Sequence, residues 1–439
     1  MIQYAAGDRR MTDGAALLAA RARPSSRQRT ASYGILFLSM WTFVVIDGAW
    51  VYLQLKTLGA KLIPISPLIV LMLAAAGIWT VVKGTPIRNE SGLAVGAWIF
   101  SCYLLLALAV QVHCGWTGAM AAIHGFYVYF FFLIVAALRC QVPGIVSQGL
   151  VACSLLAAGL ALAILGIFQH FSHDLFDAGR SIAAQAQAFN LGFSGETRAN
   201  GLFAHAEDLG AFLSLAAAVA IAHCGSSRRL TVNLLLLLLY VVFALGCYAT
   251  WTRASYLAFL SSSAAVVLLR TSGGRGWCVK HLPSILFVVG LVIFFGRAWI
   301  SSALDSYSVL FDSHSLEDRI VSSTYYWREL QRSGLGAILI GKGWITFSHP
   351  RAYVPIDNGF MALILNIGVI GLALWLWLTS RIWNACLARV RDRPSSLTIA
   401  LTAAYAPWLL LSIIGPVTLY QMVALLLFVA APDDAAMKS

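Results

Sequence analysis

Residues 249–254, ATWTRA, set an arginine between two apolar runs, NLLLLLLYVVFALGCY and SYLAFLSSSAAVVLLR. A guanidinium is planar, stays charged at physiological pH and binds phosphate oxygens two at a time. Arg253 at the mouth of such a hairpin has two readings: a side chain that snorkels to fix membrane depth, or a phosphate ligand. Two further arginines weigh toward the second. Arg198 in ETRANGLFAH and Arg319 in LEDRI each lie beside an apolar span or an interfacial helix. Three arginines converging on one cavity would suit a dianionic pyrophosphate.

Other chemistry-bearing residues carry less. Asp47 is the only carboxylate deep in an apolar run, which by default makes it a functional candidate, although Gly48 and Trp50 beside it suggest a packed interior position. His170 and His173 have helical i, i+3 spacing at the end of a run, but without further ligands they give no metal site. GAILIGKG at 336–343 nearly matches the phosphate loop, yet residue 343 is Gly where the pattern needs Ser or Thr, so it reads as a chance match. The eight cysteines form no CxxC pair and read as small packing residues.

The elements that must position these residues are membrane spans. The chain has 439 residues, of which 60% are hydrophobic and 11% charged, against about 25% charged in an ordinary soluble domain. Apolar runs of about 18 residues or more recur throughout, and in lipid each must be helical because hydrocarbon offers backbone groups no partner. The expected fold is an all-α integral membrane protein of about twelve transmembrane helices. They are placed at 33–55, 62–82, 92–112, 117–138, 145–170, 206–223, 230–250, 254–270, 281–301, 358–381, 396–414 and 416–432. The basic segment 1–32 precedes the first span, which reads as retained and not as a cleaved signal, and 433–439 forms a tail.

With the N-terminus inside, 19 of the 30 lysines and arginines fall on inner segments, as the positive-inside rule requires. The net charge of +12 is then an orientation and anionic-lipid signal, with no nucleic-acid partner expected. Two outer connections are long, 171–205 and 302–357. The second contains SLEDRIVSSTYYWRELQRSG, where Ser315 and Asp318 fit a helix-start signal and Ile320, Trp327 and Leu330 share a helical face. It reads as a helix on the outer membrane surface, with Tyr325, Tyr326 and Trp327 at headgroup level.

Four stretches, in this order and spacing, resemble the O-antigen ligase and O-antigen polymerase superfamily: RANGLFAHAEDLGAFL, TWTRASYLAFL, DRIVSSTYYWRELQRSGLGAILIGKGW and IDNGFMALILNIGVIGLALWLWL. The resemblance covers roughly residues 150–385. It implies a glycosyltransferase of the bacterial inner membrane, with both termini cytoplasmic and a periplasmic active site. Such an enzyme transfers a glycan from an undecaprenyl-pyrophosphate donor to an acceptor sugar hydroxyl, without cofactor or metal. Arg198, Arg253 and Arg319 would then stabilise the departing pyrophosphate. Ligases carry a histidine directly before the asparagine that opens the span after the large loop. Here that position is Asp357, followed by Asn358 as an orienting or capping group. The base for the hydroxyl is Asp357 or His349, eight residues upstream. A second departure is Ala206-Glu207 where family members often have Pro-Asn, which leaves the supporting role of His205 open. Asp357 tilts the reading from a ligase acting on lipid A core to a polymerase of O-antigen or exopolysaccharide. A chain-length regulator or flippase would be a partner. The competing class is a polysaccharide transporter or flippase, whose marks would be paired broken helices or several ionisable groups at mid-membrane.

Overall fold

The computed structural model describes residues 93–116, 148–171, 199, 201, 206–225, 229–271, 273, 324–343, 359–392 and 394–411. Among them all regular structure is helical, with no strand. The expected spans at 33–55, 62–82, 117–138, 281–301 and 416–432, and Asp47 and His173, lie outside the described residues. Nine helices are described: α1 Leu93–His113, α2 Gln148–Phe171, α3 Ala206–His223, α4 Leu230–Ala249, α5 Arg253–Arg270, α6 over 324–332, α7 Leu335–Ile340, α8 Gly359–Asp392 and α9 Ser396–Leu411. Four helical stretches are long and apolar enough to cross a membrane: Val151–Phe171, Ala206–His223, Leu230–Ala249 and Met361–Arg391.

The centre of the bundle is α3. Its run of alanines and other small residues lets neighbouring backbones approach closely, the usual basis of helix association in lipid. Gly210 lies so close to Ser255 of α5 that a methyl group would collide with it, and Gly159 of α2 packs against Ala216 and Phe243. A methyl on Gly246 of α4 would meet Leu213 at 2.7 Å and Ala163 at 3.0 Å. The outward side of α4 is the opposite: Leu234, Leu235, Leu237, Leu238, Val241 and Leu245 are exposed, a surface whose natural solvent is hydrocarbon.

Helix directions follow from the contacts at the ends. Arg270, at the end of α5, donates from Nη2 to the carbonyls of Ala222 and Cys224, each at 2.6 Å. A cation thus caps the negative end of α3, and the two helices run parallel. The short connections to α4 make that helix antiparallel to both. At the opposite end, Gln169 of α2 meets Gly201 just before α3, so α2 ends where α3 begins.

A second group surrounds α8. Helix α1 runs antiparallel to it: Gln111 meets residue 366, and Gly96 touches Trp377. Helix α9 returns along α8, with Trp383 and Tyr405 stacked at 5.8 Å and the Tyr405 hydroxyl donating to the Thr379 carbonyl at 3.3 Å. Helix α9 also packs on α3 and α5, joining the two groups around one core.

The helix over the span expected at 358–381 runs on to Asp392, with Arg389 and Arg391 in a last turn whose partial negative charge suits them. One expectation is corrected. In α6 the buried face is Tyr326 and Leu330, packed with Ala337, Met361 and Leu365, while Trp327 is exposed. Leu330 belongs to the buried face with Tyr326 four residues before it, and Trp327, one position on and about 100° round the helix from Tyr326, does not. Ile320 lies outside the described residues.

Candidate functional site

The turn that leads into Arg253 is built by hydroxyls. Thr250 donates from Oγ1 to the Cys247 carbonyl at 2.7 Å and lies 3.2 Å from the Thr252 hydroxyl. Thr252 is the N-cap of α5: its backbone is extended, φ −116° and ψ 131°, and its Oγ1 accepts from the Ser255 N–H at 3.3 Å and bonds the Ser255 hydroxyl. Thr250, Thr252 and Ser255 are all buried. Between the two threonines Trp251 adopts φ +49°, which for a side chain of this size costs about 1–2 kcal/mol relative to the right-handed region. Arg253 is the first residue of α5, with no acidic residue in the first turn.

A second segment is anchored on this turn. The Ala199 N–H donates to the Ala249 carbonyl at 3.2 Å. Gln169 clamps Gly201 from both sides: its Oε1 accepts the Gly201 N–H at 2.7 Å and its Nε2 donates to the Gly201 carbonyl at 2.9 Å. Residues 199 and 201 are therefore fixed at the end of α4, four residues before Arg253, and Ala199 is the chain neighbour of Arg198. His170 sits here too. Its Nε2 accepts weakly from the Trp251 indole N–H at 3.4 Å.

The other unusual place is the break in α8. Gly368 has φ 70° and ψ 179°, a conformation essentially reserved for glycine, and it splits the helix. Helix α7 and the turn after it fill the gap. Gly341, at φ 83° and ψ 165°, lies against residues 366–368, and Gly368 abuts the Leu339 carbonyl. The carbonyls released by the break are nearly all taken up. The Lys342 N–H donates to Leu365 at 2.7 Å, and Gln111 Nε2 donates to Asn366 at 2.7 Å and to Ile340 at 3.1 Å. The Tyr103 hydroxyl bonds the Ile367 carbonyl. This is the accounting that backbone in an apolar surrounding demands. Lys342 Nζ reaches Glu329 Oε1 at 3.1 Å, tying the turn to α6. The GAILIGKG stretch thus has its helix before the Gly-Lys-Gly turn, whereas a phosphate loop needs its helix after.

Of the residues expected to do chemistry, Arg198, Arg319, Asp357, Asn358, His349 and His205 lie outside the described residues, and Arg253 is described by its backbone. Residues that sequence reasoning passed over are Gln111, Gln169, Tyr103 and Trp251. The two glutamines had a signal: each is an isolated amide in an apolar span, and such groups are seldom left without a task. No family model and no curated protein matches the chain. What the described geometry offers is a rigid turn, made of buried hydroxyls, that presents an arginine at a helix start with the residue next to a second arginine bonded beside it.

Proposed function

We propose that this chain is a membrane glycosyltransferase acting on undecaprenyl-pyrophosphate-linked glycans at the periplasmic face of the bacterial inner membrane, as an O-antigen or exopolysaccharide polymerase. The observation that carries the reading is the bond from Ala199 to Ala249 together with the Gln169 clamp on Gly201. It supports a shared site for Arg198 and Arg253, because it docks the residue after Arg198 on the carbonyl four residues before Arg253. In the reaction the acceptor hydroxyl oxygen attacks the anomeric carbon, the bond from that carbon to the pyrophosphate oxygen breaks, and the hydroxyl proton passes to Asp357 or His349. Arg198, Arg253 and Arg319 hold the charge that builds on the departing pyrophosphate. Asp357 in the place of the ligase histidine favours a polymerase over a ligase to lipid A core.

The test is purified protein in lipid nanodiscs with lipid-linked oligosaccharide as both donor and acceptor, with products resolved by length. Longer lipid-linked chains made without an ion gradient support the enzyme. Absence of any new glycosidic bond under conditions where the protein is folded would remove it.

The break at Gly368 opposite Gly341 favours a second reading, a carrier of lipid-linked glycan, because interrupted helices are a mark of transporters. Proteoliposomes separate the two: movement of the lipid-linked oligosaccharide across the bilayer without bond formation supports the carrier.

A further inference from the structure

Among the described residues Trp251 alone has positive φ without being glycine. Glycine would take this conformation without strain, so the tryptophan ring is retained against the preference of its own backbone. The turn's hydrogen bonds do not use it, since Thr250 and Thr252 supply them. The ring is 39% exposed. It stacks on His170, with centroids 6.2 Å apart and planes at 27°, and lies 5.7 Å from Tyr248, which in turn stacks on Tyr256 at 6.4 Å. These four rings form one partly exposed surface beside Arg253.

We propose that this ring surface is a sugar-stacking subsite, with Trp251 as its platform, for the sugar unit bonded directly to the pyrophosphate. The proposal rests on the reading in which Arg253 holds that pyrophosphate. The Cα atoms of Trp251 and Arg253 lie at most about 7 Å apart, which puts the platform within reach of a group covalently joined to the one at Arg253. A lipid-linked donor has two such neighbours, its first sugar and its polyprenyl tail. The rings choose between them, because indole, imidazole and phenol pair an apolar face with a polar edge. A sugar presents C–H faces and hydroxyl edges that match both. A hydrocarbon tail offers nothing to the polar edges.

The experiment compares wild type, Trp251→Gly, Trp251→Phe and Tyr248→Ala in nanodiscs, with lipid-linked oligosaccharide extracted from the producing cells and with free glycan released from it by mild acid. Trp251→Gly relieves the backbone strain and gives up the ring contacts with His170 and Tyr248, two opposed effects of similar size, so its melting temperature should change little. Its KM for the donor should rise about tenfold, the scale of one aromatic stacking contact, with kcat little changed. Trp251→Phe should keep most of the wild-type KM, and Tyr248→Ala, which leaves the turn backbone alone, should raise it by a smaller factor. Free glycan should inhibit wild type and spare Trp251→Gly. An unchanged KM in Trp251→Gly, equal inhibition of both by free glycan, or a lowered melting temperature that assigns the ring to packing would each overturn the subsite while leaving the transferase intact. A folded wild type without turnover instead removes the transferase, and the subsite with it.

Discussion

At the scale of single residues, Arg253 is placed where a cation is least welcome. The first turn of a helix carries partial positive charge, and a cation there gives up about 0.3–1 kcal/mol that an anion would gain. No acidic side chain in the first turn of α5 offsets it. An anionic ligand would. Arg253→Ala should therefore leave the membrane level and melting temperature unchanged or slightly raised while abolishing long polymer. Normal chain lengths at normal expression would exclude a catalytic arginine. Gln169→Ala removes both bonds to Gly201 and should destabilise the fold by about 1–3 kcal/mol, read as a lower melting temperature in detergent. Arg253 was legible in the sequence because a charge between two apolar runs has few explanations. Trp251 was not, since no pattern of residue types announces a tryptophan with positive φ.

At the scale of elements, the sequence is a good guide where hydrophobicity ends abruptly. Helix α3 occupies 206–223 as expected, with Glu207 and Asp208 in its first turn, where negative charge is favoured, and Gly225 just beyond its end. The break in α8 was hidden because IGVIGLAL is apolar without interruption, and a glycine in such a run is more often a packing contact than a hinge. The deciding partner, Gly341, comes from a separate part of the chain. Gly368→Ala would drive a methyl into the Leu339 carbonyl at a φ that alanine resists. It should cost more than about 1 kcal/mol, where an alanine in an unbroken helix would gain about that much. A melting temperature at or above wild type would mean that the helix runs straight through. Gln111→Leu leaves the Ile340 and Asn366 carbonyls short of a donor and should destabilise by about 1–3 kcal/mol per carbonyl stranded, on the same assay.

At the scale of the whole molecule, the described helices give one testable sidedness. Arg229 and Tyr248 lie at opposite ends of α4. In a background without the eight native cysteines, Arg229→Cys and Tyr248→Cys should react with a membrane-impermeant thiol reagent from opposite sides. Labelling of both from one side would show that α4 does not cross. The helical class was legible because 60% apolar composition leaves lipid few alternatives. The candidate site was legible in part: the arginine-bearing turn was, its anchoring by Gln169 was not, since tertiary hydrogen bonds leave no periodicity behind. Helix α3 has a consequence for how the protein is made. It is the least apolar of the four long helices, yet 83% of it is enclosed by the others. During synthesis only α2 of its described neighbours precedes it, and α4, α5 and α9 have still to emerge. A chain halted after Gly225 would therefore hold α3 poorly in the bilayer and be cleared by membrane quality control, whereas one halted after Leu411 would have the helices that shelter it.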